Sequence, residues 1–176
     1  LAAAVLVLRS GWFAEKVRAR IVEEVERASG GRSELGGFSF EWTRLRAEVR
    51  GFVLHGTEEE GKRPLFRAER IAVGLKIVSL WRRKVDIQYA EVERPEFSLI
   101  LYPDGRTNIP SPKVRRPGKP VLERVLDLKV GRIDARRGMF EVEGRKKTPF
   151  DFHGQNLEAQ LDYDRTGPRY RGRVAM

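Results

Sequence analysis

Apolar and polar residues alternate along most of this chain, and the alternation predicts strands. Phe97, Leu99 and Leu101 share one side of a strand that runs into Pro103-Asp104-Gly105. There Pro103 presets φ, and Asp104-Gly105 tolerates the positive φ of a tight turn. Phe38, Phe40 and Trp42 alternate with Ser39, Glu41 and Thr43, and Leu45, Ala47, Val49 and Val53 continue on the other parity. A turn or bulge near Arg44 therefore changes the phase. Ile71, Val73, Leu75 and Ile77 make a four-residue apolar face, followed by Val85, Ile87 and Tyr89. Further runs are Leu126, Leu128 and Val130; Phe140 and Val142; Phe150 and Phe152; Leu157, Ala159, Leu161 and Tyr163; and Tyr170 with Val174. Turn-like separators stand between them: Glu58 to Gly61, Arg137-Gly138, Glu143-Gly144 and Thr166-Gly167-Pro168.

Two stretches break the alternation. Residues 11–29 carry Phe13, Val17, Ile21, Val25 and Ala28 at helical spacing, with Ser29-Gly30-Gly31 as the stop. Residues 109–120 hold Pro110, Pro112, Pro117 and Pro120 among Lys113, Arg115, Arg116 and Lys119, an extended basic loop. The expected organisation is the end of a membrane anchor (1–10), an amphipathic helix (11–31), a first β unit (32–108), the loop (109–120) and a second, truncated β unit (121–176). Leu1 to Leu8 contain no charged side chain. They are too short to span a bilayer, which needs about 20 apolar residues, and read as the distal end of an anchor, with the first turns of a soluble helix or the tail of a cleaved signal as the alternatives.

Many short strands with tight turns and no alternating helices predict a mainly β fold with an N-terminal α-helix and an antiparallel sheet. One face of each strand is apolar and must be covered. The sheet can close as a sandwich or barrel, pack on the 11–29 helix, or stay curved and open with the apolar face lining a groove.

Charge sharpens the picture. The net charge is +10. Residues 1–60 hold nine Lys/Arg and ten Asp/Glu, so the remaining 26 basic and 15 acidic residues place the whole excess in 61–176. Such a balance favours anionic partners, either nucleic acid or lipid head groups. Base stacking needs exposed aromatics among the cations. Here the aromatics sit on the alternating apolar faces, which makes a nucleic-acid module the remote alternative; Trp81 beside Arg82 and Arg83 is the exception. No cysteine is present, so there is neither a disulfide nor a thiolate metal site. His55 and His153 lie far apart, and no GxSxG, HExxH, P-loop or GxGxxG occurs. Asp162 and Asp164 read as turn formers. The expectation is a non-enzyme with no cofactor and no metal.

Several motifs resemble one family. They are the helix opening Gly11-Trp12-Phe13-Ala14-Glu15-Lys16-Val17; Gly37 to Trp42; Glu48 to Gly56; Pro64 to Ile71; Val92 to Leu99; and the Asp104-Gly105-Arg106-Thr107-Asn108 turn. Leu128 to Asp134, Arg137 to Val142, Phe150 and Tyr170-Arg171-Gly172 look like the next unit. The whole resembles the N-terminal region of the AsmA-like proteins, most closely the translocation and assembly module (TamB-type) group. The resemblance implies a single-pass anchor in the bacterial inner membrane, with the bulk in the periplasm. It further implies a repeating, curved β-groove with an apolar interior that carries phospholipid toward the outer membrane. The alternative it implies is a scaffold for outer-membrane protein assembly with a barrel partner. The groove lining expected on this basis is Ile71, Val73, Leu75, Ile77, Val85, Ile87, Tyr89, Phe97, Leu99, Leu101, Leu128, Val130, Phe140 and Val142. Rim cations for head groups are Arg82, Arg83, Lys84, Arg115 and Arg116, and a bound phospholipid is the one expected ligand.

Overall fold

A helix and eight strands make up the fold in a computed structural model that describes residues 11–75, 87–111, 130–145, 149–164 and 169–176. Helix α1 (Gly11–Ser29) forms where the helical spacing predicts it. Its solvent side is tied by Arg20 to Glu24 at 2.6 Å, Arg27 to Glu23 at 2.5 Å and Arg27 to Glu24 at 3.0 Å, pairs that lie one turn apart. The helix ends as Gly30 turns to φ 81° and donates its N–H to the Glu26 carbonyl at 2.9 Å. The Glu26 carboxylate then accepts the Ser33 N–H at 2.9 Å, so the helix stop and the first strand are joined directly.

The strands are β1 (Ser33–Glu41), β2 (Arg46–Leu54), β3 (Phe66–Leu75), β4 (Ile87–Glu93), β5 (Glu96–Leu101), β6 (Arg132–Gly144), β7 (Phe150–Asp164) and β8 (Arg169–Ala175). They form one curved sheet in the order β1-β2-β3-β4-β6-β7-β8. Strand β5 continues the line of β4, pairing with the start of β3 and the end of β6. Strands from both sides of the 109–120 stretch thus share one sheet. The turn expected near Arg44 occupies residues 42–45, with Leu45 at φ 48°.

The sheet is mixed, which corrects the expectation of an antiparallel one. Strand β6 runs parallel to both β4 and β5. Antiparallel neighbours can be joined by a tight turn, whereas parallel ones need a crossover of a dozen residues or more. Between Leu101 and Arg132 the chain has that length, and local alternation carries no sign of it. Strands β6 and β7 are also long and continuous: Arg137-Gly138 lies inside β6, although its composition reads as a turn.

Asn108 joins the end of the β5 turn to the sheet. Strand β5 outruns β3, so Ile100 and Ser98 lack a strand neighbour on that side. The fully buried Asn108 side chain takes that place: its carbonyl accepts the Ile100 N–H at 2.9 Å and its amide donates to the Ser98 carbonyl at 2.9 Å. Its backbone carbonyl accepts the Thr57 N–H at 2.8 Å. Gly105, at φ 83°, makes the turn that brings Asn108 back.

Candidate functional site

Cross-strand partners share a face of the sheet, so the register assigns every side chain. One row reads Phe38, Val49, Ile71, Val92, Ala135, Ala159 and Val174 from β1 to β8. The next reads Phe40, Ala47, Val73, Ala90, Ile133, Leu161 and Gly172. Further along the strands lies Ser33, Leu54, Phe66, Phe97, Phe140 and Gly154. Strict alternation would put this third row on the opposite face from the first two, and bulges prevent it. In β6 the pair Arg136-Arg137 stands against the single residue Glu158, and in β7 Gln155-Asn156 stands against Met139. Each extra residue restores the phase.

The same step of three recurs in the other strands: Leu35 to Phe38, Val49 to Phe52, Ala68 to Ile71, and Val92 to Pro95. The positive-φ residues Gly51, Arg94, Arg137 and Asn156 are each the second member of the intervening pair. The rings agree. Phe97 stacks on Phe140 with centroids 5.5 Å apart, Phe140 meets Phe152 at 6.5 Å, and Phe52 meets Phe66 at 6.0 Å. One face of the sheet is therefore apolar from β1 to β8.

Most of that face is half-exposed, while Phe150, Phe152 and Val174 are 46%, 49% and 63% exposed. Among the described residues α1 is the only element outside the sheet that packs on a strand, and it meets β1. Leu35 and Phe52 are buried near that end.

The other face is a lattice of ion pairs. Arg46 reaches Glu91 at 2.8 Å, Arg67 reaches Glu96 at 2.9 Å, Arg63 reaches Glu141 at 2.6 Å, and Arg137 pairs with Glu93. Small residues lie beneath the long side chains; Ala72 is wholly buried. Hydrogen bonds from Arg50, Arg137 and Arg145 hold the carboxyls of Glu48, Glu93 and Glu143 below the usual glutamate range.

The expected lining residues divide accordingly. Ile71, Val73, Leu75, Ile87, Phe97, Leu99, Leu101, Phe140 and Val142 lie on the apolar face. Tyr89 does not: it pairs with Gly74, and its ring fills the space a side chain there would take. A register shift after Gly74 separates its face from that of Ile87. Val130 is buried ahead of β6 and does not line the face openly. Ile77, Val85, Leu128, Arg82, Arg83, Lys84, Arg115 and Arg116 lie outside the described residues. Alternation alone missed Ala90, Val92, Ile133, Ala135 and Leu54, and the step of three was the signal that would have found them.

Among the described residues no group of three or more His, Asp or Glu side chains is placed to hold a metal ion. His55 sits between Glu34 and Glu58 at 3.3 Å each, and His153 lies 3.7 Å from Glu141. Asp162 and Asp164 face the arginines of β8 rather than forming a turn. No family model matches the chain, and no curated protein is significantly similar to it.

Proposed function

We propose that the apolar face is the wall of an open groove that carries phospholipid acyl chains, in a protein anchored in the bacterial inner membrane and extending through the periplasm. The reading rests on one observation: an apolar face continues without interruption across the register while the reverse face is charged. Seven strands at ~4.8 Å spacing give a strip about 29 Å wide. That is roughly the thickness of a bilayer's hydrocarbon core, twice the depth one leaflet supplies. An acyl chain laid on the strip is shielded from water at about 0.8 kcal/mol per methylene, with no need for a shaped pocket. The excess positive charge of residues 61–176 favours phosphate head groups at the margin. The family resemblance of the sequence points the same way.

Photocrosslinking amino acids at Val73, Ile87 and Leu99 test this in membranes. Phospholipid adducts are expected at all three, and none at Glu91 on the charged face. Protein-only adducts, or equal lipid capture from both faces, would overturn the reading.

A further inference from the structure

The turn after β5 holds the one aspartate of the chain that glycine follows, Asp104; none of the other six aspartates and neither asparagine precedes a glycine. A glycine nitrogen has no neighbouring Cβ to shield it, and its backbone reaches conformations closed to other residues. Burial does not protect the pair, because the Asp104 side chain is 50% exposed. Hydrogen bonds do. The Gly105 N–H donates to the Tyr102 carbonyl at 3.0 Å. The Asp104 carboxylate accepts the Arg106 N–H at 3.0 Å and the Arg106 Nε–H at 2.5 Å. The backbone bond first, and the guanidinium second, hold this carboxyl below the usual aspartate range. Around them the turn is small: Tyr102 donates its N–H to the Arg106 carbonyl at 2.9 Å, and Leu101 bridges to Thr107.

We propose that Asp104 is a site of spontaneous isoaspartate formation, that Arg106 guards it while the turn is closed, and that conversion unseats Asn108. When the turn opens and the carboxyl takes a proton, the Gly105 nitrogen attacks Asp104 Cγ. The N–Cγ bond forms, the Cγ–OH bond breaks, and the hydroxyl leaves as water with the amide proton. Water then opens the succinimide at either carbonyl. Attack at Cγ breaks the new bond and restores aspartate. Attack at the Asp104 main-chain carbonyl breaks its bond to the Gly105 nitrogen, so the chain thereafter runs through Cγ. No oxidant or cofactor enters. The main chain gains one methylene between Tyr102 and Arg106, inside the bond that closes the turn. Asn108 follows directly, wholly buried, with its side chain on the Ile100 N–H. A lengthened turn no longer returns it to that seat. The proposal stands independently of the lipid reading.

The test ages the 176-residue chain at neutral pH, folded and in concentrated urea, and counts isoaspartate at residue 104 by mass spectrometry. Conversion is expected at Asp104 before any other aspartate, and at least tenfold slower in the folded chain than in urea. Arg106→Gln should convert at least threefold faster than wild type when folded and equally fast in urea. Arg106→Lys, which keeps a cation without the planar guanidinium, should fall between and serves if the first variant misfolds. In the aged protein, hydrogen exchange at the Ile100 amide should quicken in step with the isoaspartate fraction. Equal rates folded and in urea, folded variants no faster than wild type, or an Ile100 amide still protected in the converted chain would refute the proposal.

Discussion

Replacing Asn108 by alanine leaves the backbone intact and removes one amide from a fully buried position. Two groups then lose their partners, the Ile100 N–H and the Ser98 carbonyl, each now bonded at 2.9 Å. Ile100 is 2% exposed and Ser98 9%, so neither group is readily resolvated. An unsatisfied buried polar group costs about 1–3 kcal/mol, giving roughly 2–6 kcal/mol for the pair. Urea unfolding followed by circular dichroism measures it. With a slope of ~1–3 kcal/mol per molar, the midpoint should fall by at least about 0.7 M. Asn108→Asp separates the two bonds: it keeps the acceptor for Ile100, loses the donor to Ser98 and buries a carboxylate, so it should be no more stable than the alanine variant. Thr107→Ala, one residue earlier and half-exposed, should stay within about 0.5 kcal/mol of wild type. A loss below that same 0.5 kcal/mol for Asn108→Ala would refute the assignment of Asn108 as the stand-in for a missing strand.

Two further outcomes follow from contacts in the same fold. A methyl group at Gly56 would run into the Asn108 carbonyl, which is backbone and cannot swing away. Gly56→Ala should therefore cost about 1–3 kcal/mol, read as a lower urea midpoint. Acidification should weaken the charged face. Glu48, Glu93 and Glu143 have folded pKa values below their unfolded ones, so their contribution is present at neutral pH and is lost as pH falls below the ordinary glutamate value of ~4.3. These groups should leave the urea midpoints at pH 7 and 5 alike and lower that at pH 3.5, less so in Arg137→Gln, and a rise on acidification to pH 3.5 would contradict the pairing.

What was legible in the sequence was local. Helical spacing in 11–29, the turn near Arg44 and the Asp104-Gly105 turn depend on a few neighbouring residues, and each formed where expected. Alternation identified Ile71, Val73, Phe97, Leu99, Phe140 and Val142 as sharing apolar faces. It misplaced Tyr89, because the shift after Gly74 is set by the partner strand and not by residues 85–89. The parallel seat of β6 was also invisible, since it depends on pairing across some forty residues. Arg137-Gly138 looks like a strand end in composition, yet β6 runs through it, and Arg136-Arg137 with Gln155-Asn156 are the bulges that keep two long strands apolar on one side.

Those paired residues also constrain how chain length can vary. Deleting one residue from Arg136-Arg137 or Glu93-Arg94 would return that strand to strict alternation and turn half of it over, setting charges among the phenylalanines and apolar groups among the ion pairs. A length change in one strand cannot be absorbed by its neighbours, because the step lies at the same height in β1 to β6 and one pair further along in β7. Insertions and deletions in descendants of this chain should therefore collect in the connections, while the interior of each strand keeps its residue count even where its side chains drift.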